Sequence, residues 1–377
     1  MGAMDTRKRR GAEAAKPDLK GLTLTEFETF FAGLDEPRYR ASQVAAWVFP
    51  RDVHDFTGMT DLPLSLRERL GKEATVTASA VAASRQSAAD GTRKLLLEYA
   101  GGGRVEAVVL HDEERATGCV STQIGCRFGC SFCATGNMGF VRNLTAGEIV
   151  EEIQALRRHI APERLDNLVF MGMGEPLDNY DATMKAVRIA NAPWGLGLGA
   201  RKITVSTAGI IPGILRLADE ALQVNLAVSL NAPTQKLRAQ LMPVAETHPL
   251  EPLMDALREY AKKTGRTVTL EYVLLREIND SPEMADALGR LARSLMCKVN
   301  LIGYNENSRS AFSSPPDKTV DAFAARLRKR CPNVVRRVGR GADIAAGCGQ
   351  LRVETAPKAR EREARTVPNR RSKSKKR

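Results

Sequence analysis

From residue 117 to residue 304 the chain alternates short β-rich runs with amphipathic stretches of helical period. The β-rich runs are TGCVSTQI, NLVFMGM, RKITVSTAG, VNLAVSL, TVTLEYVLL and CKVNLIGY. Between the first two lies TAGEIVEEIQALRRHI, in which Thr145 and Glu148 have the three-residue spacing of a capping box. Six βα units in succession predict a parallel sheet covered by helices, either doubly wound or curled into a partial barrel. In both architectures the ligand site lies beyond the carboxyl ends of the strands. The residues with chemical potential fall there: a three-cysteine loop after the first run, GMGEP after the second, STAG and SLNAP at the ends of the third and fourth, and YNEN after the sixth.

The flanks differ from this core. Residues 22–74 show helical spacing broken by DEP and DLP, and predict several short helices. DGTRKLLLEYAGGGRVEAVVLHDEE, residues 90–114, predicts two strands joined through AGGG. The expected organisation is a basic disordered N-terminus (1–20), a helical accessory module (21–76), a β-hairpin connector (77–116), the core (117–354) and a basic disordered tail (355–377). Residues 358–377 carry ten Lys/Arg against two Glu, out of a formal net charge of +13. Such a segment cannot bury a core, and it attracts polyanions through counterion release. Nucleic acid is therefore the favoured partner. No apolar run approaches the roughly 20 residues of a bilayer span. The N-terminus has no apolar leader segment, and a cytoplasmic protein is expected.

Seven cysteines without an export signal argue against a disulfide framework and for metal binding or catalysis. Cys126, Cys130 and Cys133 gather three thiols within eight residues in the spacing C-x3-C-x2-C. Three thiolates can hold three irons of a [4Fe–4S] cluster and leave the fourth iron open. A zinc site that adds Cys119 is the competing reading, but it lacks the paired C-x2-C arms of structural zinc. Cys297 and Cys331 read as buried structural thiols. His54, His111, His159 and His248 fit no metal spacing.

The cysteine spacing, with Phe132 before the last ligand, resembles the radical S-adenosylmethionine (SAM) superfamily. Within it the chain resembles the RNA adenine methyltransferases that act on C2 of adenosine in 23S ribosomal RNA and tRNA. The similarity runs from about residue 22 to 354 through DGTRKLLLE, RVEAVVL, CVSTQIGCRFGCSFCATGNMGFVRNLTAGEIVEEI, FMGMGEPLDN, ITVSTAGIIPGI, LAVSLNAP, VTLEYVLL and GADIAAGCGQL. It implies a partial (β/α)6 barrel, a [4Fe–4S] cluster on Cys126, Cys130 and Cys133, and two SAM molecules per turnover. It implies that Cys348 carries the methyl group, that Cys119 is the second catalytic cysteine, and that Glu106 is a proton-acceptor candidate. Gly174 and Glu175 would receive the SAM amino end, with Ser206, Ser229, Leu230, Asn231 and Asn305 lining the rest of that site. Partners implied are 23S rRNA, with tRNA as a second substrate, and a one-electron donor such as flavodoxin or ferredoxin; a monomer is expected. Two positions depart from the family pattern: Asn231 stands where histidine is usual, and Gly303 replaces a proline.

Adenine C2 is electron-poor and cannot attack a methyl sulfonium, whereas a thiolate can. Routing the methyl through Cys348, then resolving the RNA adduct by a transient Cys119–Cys348 disulfide, solves that problem. Whether Cys119 or Glu106 takes the C2 proton stays open from sequence. C8 methylation by a sister group, a non-methylating radical SAM enzyme and a zinc-stabilised nucleic-acid-binding protein are the alternatives. The tail makes one prediction of its own. Truncation after residue 357 removes ten cationic side chains, so RNA binding should weaken and the slope of log affinity against log salt should flatten; filter binding across a salt series measures both.

Overall fold

The computed structural model describes residues 16–112, 115–307 and 310–351. Residues 1–15 and 352–377, which hold nearly all of the expected basic tails, lie outside the described residues. The described residues form twelve strands: β1 Ser79–Gln86, β2 Arg93–Tyr99, β3 Arg104–Asp112, β4 Arg115–Cys119, β5 Gln123–Gly125, β6 Phe140–Asn143, β7 Asn167–Phe170, β8 Ile203–Thr207, β9 Asn225–Ser229, β10 Val268–Leu274, β11 Cys297–Gly303 and β12 Val334–Arg337. Ten form one sheet in the order β1-β2-β3-β4-β7-β8-β9-β10-β11-β12, and β5 pairs with β6 alone. From β4 to β12 every neighbouring pair is parallel.

The order of these parallel strands follows the chain without reversal. Because βα crossovers are right-handed, crossovers that all advance the same way place their helices on one face. A doubly wound sheet needs a reversal of strand order. None occurs among the described residues, so the partial barrel is the architecture, left open between β1 and β12. The helices are α1 Leu24–Gly33, α2 Tyr39–Val48, α3 Leu64–Glu73, α4 Ala146–Ile160, α5 Tyr180–Asn191, α6 Ile211–Asp219, α7 Gln235–Leu241, α8 Val244–Thr247, α9 Leu250–Thr264, α10 Pro282–Arg293 and α11 Asp317–Arg328. All six β-rich runs became parallel strands, and β12 adds a seventh that the sequence did not suggest, since VVRR is short and half charged.

The two strands expected around AGGG are β2 and β3, but they are no separate connector. With β1 they continue the core sheet by antiparallel pairing, because β3 pairs with β4. The basic N-terminal stretch also ends earlier than residue 20. Leu19 and Lys20 are fully buried, and the Asp18 carboxylate accepts the backbone N–H of Thr77 at 2.9 Å and the Thr77 hydroxyl at 2.6 Å.

Helix α4 explains how the module of α1–α3 attaches. Its capping box is present, with Glu148 N donating to Thr145 Oγ1 at 3.1 Å and Thr145 N to the Glu148 carboxylate at 2.9 Å. One face packs on the sheet through Ile149, Val150, Ile153 and Leu156. The opposite, polar face is buried too, under the N-terminal module. Gln154 Nε2 donates to the carbonyls of Val48 and Phe49, both at 3.0 Å. Glu151, with no exposure, pairs with the equally buried Lys20 and receives Arg158 Nη2 at 2.6 Å and Ser79 Oγ at 2.9 Å. Burial pushes the Glu151 carboxyl up, but His54, Lys20 and Arg158 outweigh it and hold it at about 2, against an ordinary 4.5.

A carboxyl whose folded pKa is depressed contributes stability above its unfolded value and loses it as pH falls through the folded one. Glu151→Gln strands a buried ammonium, and should cost about 3–5 kcal/mol at neutral pH. The deficit should shrink as pH falls from 4.5 toward about 2, because the wild type is then protonated at the same position. Urea unfolding of both proteins across that range measures it.

Candidate active site

The cysteine loop is closed at its base by β5 and β6. Cys126 N donates to Gly139 O at 3.1 Å, and Gly125 has φ +74°, where a Cβ would stand 1.8 Å from that same carbonyl. Only glycine permits the approach. Cys126, Cys130 and Cys133 all face one cavity at the carboxyl ends of the strands. Burial raises all three thiols, Cys126 to about 12, with Cys130 raised further by its two neighbours. A metal must therefore displace protons on binding.

The donor set fits an iron–sulfur cluster better than zinc. Ligands of one tetrahedral zinc at 2.3 Å sit about 3.8 Å apart. Among the described residues, only Asp52, His54 and Glu151 bring three ligand atoms within 4.8 Å of one another, and these serve the α4 ion pairs. The three thiols do not all lie within 4.8 Å of one another, which suits ligands to separate irons of a cluster.

The strand ends complete the cavity. Gly174 (φ +97°) brings the turn after β7 against Gln123, whose Cβ would lie 2.5 Å from an added side chain. Glu175 follows, nearly fully buried. Its carboxylate accepts Ala208 N at 2.6 Å and Leu177 N at 3.0 Å, and its own N–H donates to Gln123 Oε1 at 2.9 Å. Burial raises its carboxyl to about 7 despite those bonds. Ser206, Ser229 and Asn231 line the same space. Asn231 adopts φ +57°, accepts Val273 N at 2.9 Å and receives Asn279 Nδ2 on its carbonyl at 2.8 Å. A short amide tolerates the left-handed region and bonds the adjacent backbone, which accounts for asparagine here. Leu230 is fully buried beside the cavity and does not line it.

Cys348 stands in the wall between this cavity and a second one, which holds Cys119. The two cavities share Met171, Ile302, Arg337, Cys348 and Leu351. Cys119, on β4, is buried, and its thiol is driven up by burial and by the Cys348 thiol. Cys348 is an exposed residue, yet the protein packed round its sulfur raises its thiol, Arg337 pulling the other way. Its loop is fastened to the cysteine loop, with Ala134 N donating to Gly349 O at 2.7 Å and Thr135 Oγ1 to Leu351 O at 2.6 Å. Asn305 lines the second cavity, not the first; its Nδ2 donates to Cys348 O at 3.3 Å. Glu106 is buried rather than solvent-facing. It pairs with Lys94 at 3.0 Å and lines a third cavity on the other side of the Cys348 loop. Cys297 and Cys331 are buried and line neither cavity.

Two lining residues escaped the sequence reading. Glu271, buried on β10, accepts Asn300 Nδ2 at 2.9 Å on one oxygen and has no partner on the other. Arg337 approaches it to 3.9 Å. The signal for Glu271 was present: a carboxylate inside the apolar run TVTLEYVLL.

Comparison with known proteins fits this geometry. The model of the Radical SAM superfamily matches residues 120–288, and that of the Ribosomal RNA large subunit methyltransferase N-terminal domain matches residues 17–76. The chain is 44% identical over 343 residues to the probable dual-specificity RNA methyltransferase RlmN of Symbiobacterium thermophilum, covering 90% of this chain and 92% of that one. It is 42% identical over 361 residues to the dual-specificity RNA methyltransferase RlmN of Syntrophotalea carbinolica, covering 95% and 96%. A crystal structure of a radical SAM methyltransferase from Sphaerobacter thermophilus superposes with a TM-score of 0.86 at 45% identity, over 90% of this chain and all of the other.

Cys126→Ala leaves two of the three thiols, and should abolish stable iron binding under anaerobic reconstitution. Cys297→Ala, which removes a thiol outside the cavity, should keep the wild-type iron and sulfide content. Iron and sulfide assays on both variants check the assignment.

Proposed function

The chain belongs to the RlmN family of radical SAM RNA methyltransferases; we propose that this protein methylates C2 of adenosine in 23S rRNA and in tRNA. The observation that carries the proposal is the position of Cys348, with the cluster cysteines across one cavity and Cys119 across the other. A carrier thiol needs access to a methyl donor on one side and to a base on the other. The shared wall offers Cys348 both.

A [4Fe–4S] cluster on Cys126, Cys130 and Cys133 would supply the electron that makes a radical from one SAM, while a second SAM donates the methyl. Gly174, Glu175, Ser206, Ser229 and Asn231 would hold the adenosyl ligand against the strand ends. The Cys348 sulfur would take the methyl carbon; loss of one hydrogen atom from that S-methyl to the SAM-derived radical leaves a methylene that bonds adenine C2, and loss of one electron to the oxidised cluster and of the C2 proton restores the ring, so that RNA and enzyme are joined through sulfur. The Cys119 thiol would then attack the Cys348 sulfur; the carbon–sulfur bond breaks, the methylene carbon keeps the electron pair and takes up the thiol proton to become the methyl group, and a Cys119–Cys348 disulfide remains for reduction by an external dithiol. Met171, Ile302 and Leu351 keep the wall between the cavities apolar, which limits water at the carrier sulfur. Of the two proton-acceptor candidates Cys119 shares a cavity with Cys348 and Glu106 does not; Cys119 would accept the C2 proton only after losing its own, which its burial opposes.

The substrate base must leave its stack to reach this depth. Arg336, Arg337 and Arg340 around the second cavity suit a polyanion at its mouth. No helix among the described residues is long and apolar enough to cross a membrane. We place the enzyme in the cytoplasm as a monomer, with a flavodoxin or ferredoxin as electron donor.

Labelled SAM and RNA mass spectrometry test the regiochemistry: 2-methyladenosine is expected, and 8-methyladenosine would overturn the C2 reading. Cys119→Ala should stall with RNA bonded to Cys348 through a methylene, a thioether stable to denaturant and to thiol reductants. Protein purified from cells should carry that RNA. A Cys119→Ala enzyme free of RNA and turning over at the normal rate would sink the two-cysteine mechanism.

A further inference from the structure

The segment DGTRK, residues 90–94, belongs to no cavity of the cluster cysteines, yet it touches the Cys348 loop at two points. The Asp90 Oδ2 accepts Gly341 N at 2.8 Å, while its Oδ1 accepts Thr92 N at 3.0 Å. Lys94 Nζ donates to Ala345 O at 2.9 Å and pairs with Glu106 at 3.0 Å. Gly341 and Ala345 bound a short 3-10 turn, and both are left-handed, at φ +63° and +52°. Thr92 is fully buried and lies so close that a Cβ on Gly341 would meet its Cγ2 at 2.7 Å.

We propose that residues 90–94 are the seat of the Cys348 loop, with Asp90 and Lys94 as positioning residues that set where the Cys348 sulfur stands. The inference rests on the reading of Cys348 as the carbon carrier, and it gives the antiparallel strands β1–β3 a part in the reaction. Left-handed alanine is intrinsically unfavourable. It persists at residue 345 because Lys94 holds the carbonyl of that residue and Asp90 holds the N–H of residue 341. Both anchors lie just before Cys348, and Ala134 and Thr135 hold the loop just after it. The loop is thereby held on both sides of Cys348.

The electrostatics agree with this use. Burial pushes the Asp90 carboxyl up, but bonds from Thr92, Gly341 and Ser87 outweigh it and hold the group down at about 2. Lys94 and Glu106 are both nearly buried. A buried ion pair adds little net stability compared with packed apolar residues, so its retention suits a geometric task. Glu106 acts in this arrangement by holding Lys94 to the loop.

The test compares wild type, Asp90→Ala, Lys94→Met and Lys94→Arg, each with its cluster reconstituted. Hydrogen exchange should rise about 10- to 100-fold in residues 341–351 of Asp90→Ala and Lys94→Met, while β8 and β9 keep wild-type protection. Methylation of Cys348 by labelled SAM should fall in those two variants and recover in Lys94→Arg, with deoxyadenosine formation under reductant unchanged in all. Unaltered exchange in 341–351 in both variants would overturn the seat. A loosened loop that is methylated at the normal rate would overturn the positioning role. If one variant loses protection throughout the chain, the other, which breaks a different anchor, decides. A wild-type Cys348 that accepts no methyl would defeat the carrier reading instead, and the exchange data would still judge the seat.

Discussion

Every βα crossover in the core advances in the same direction, and the site follows from that constraint. With strands added in chain order and helices confined to one face, all carboxyl ends open on a single rim. The cysteine loop after β4, the glycine turn after β7 and the polar ends of β8 and β9 are then neighbours, although they span residues 126–231. β12 continues the series and carries the chain back to the rim. Residues 349 and 351 can then bond the backbone and side chain of residues 134 and 135, more than 200 positions earlier.

The alternation of period 2 with period 3.6 made this core legible, because each local pattern agreed with the global fold. The capping box at Thr145 and the glycine at 174 were equally readable, whereas the need for glycine at 125 appears only in the close approach of Gly139 O. What stayed hidden depends on contacts between distant segments. Helix α4 reads as amphipathic, with Glu148, Glu151, Glu152 and Gln154 on its wet side. All four are buried: the N-terminal module supplies an ammonium to Glu151 and two carbonyls to Gln154, while Arg142 pairs with Glu148 and Ser121 N donates to Glu152. Periodicity reports which face is apolar and cannot report that a second layer covers the polar one. The same holds for Glu106, read as a proton-acceptor candidate and found paired with Lys94. Asn305 sits one cavity away from the site expected for it, since its strand end meets the Cys348 loop first.

Five of the seven cysteines line the two cavities, and protein packing raises the thiols of all five. Packed thiols are protonated and weakly nucleophilic. This restrains chemistry until a ligand compensates the charge. Iron held by Cys126, Cys130 and Cys133, as proposed, would do so with release of protons. Cys348 differs, because Arg337 lies in the same wall and favours its thiolate while Glu271 opposes it. Cys119 has burial and a neighbouring thiol against it, so among these thiols it is poorly suited to act first.

In the proposed reaction Cys119 and Cys348 therefore divide the work by position more than by intrinsic reactivity. Cys119 sits within a paired strand, in register with Val108 on one side and Val169 on the other, and cannot move far without breaking the sheet. Cys348 sits in a loop with Gly347 and Gly349 beside it, where backbone rotation costs least. A fixed thiol and a loop-borne thiol can form a transient disulfide only if the loop comes to the strand. The same loop must face the cluster cavity at an earlier stage. Fastening the loop at residues 341, 345, 349 and 351, and leaving only Asn305 at 3.3 Å on Cys348 itself, confines that freedom to the residues next to the sulfur. Because Cys348 already lines both cavities, small rotations there would be enough to turn its thiol from one to the other.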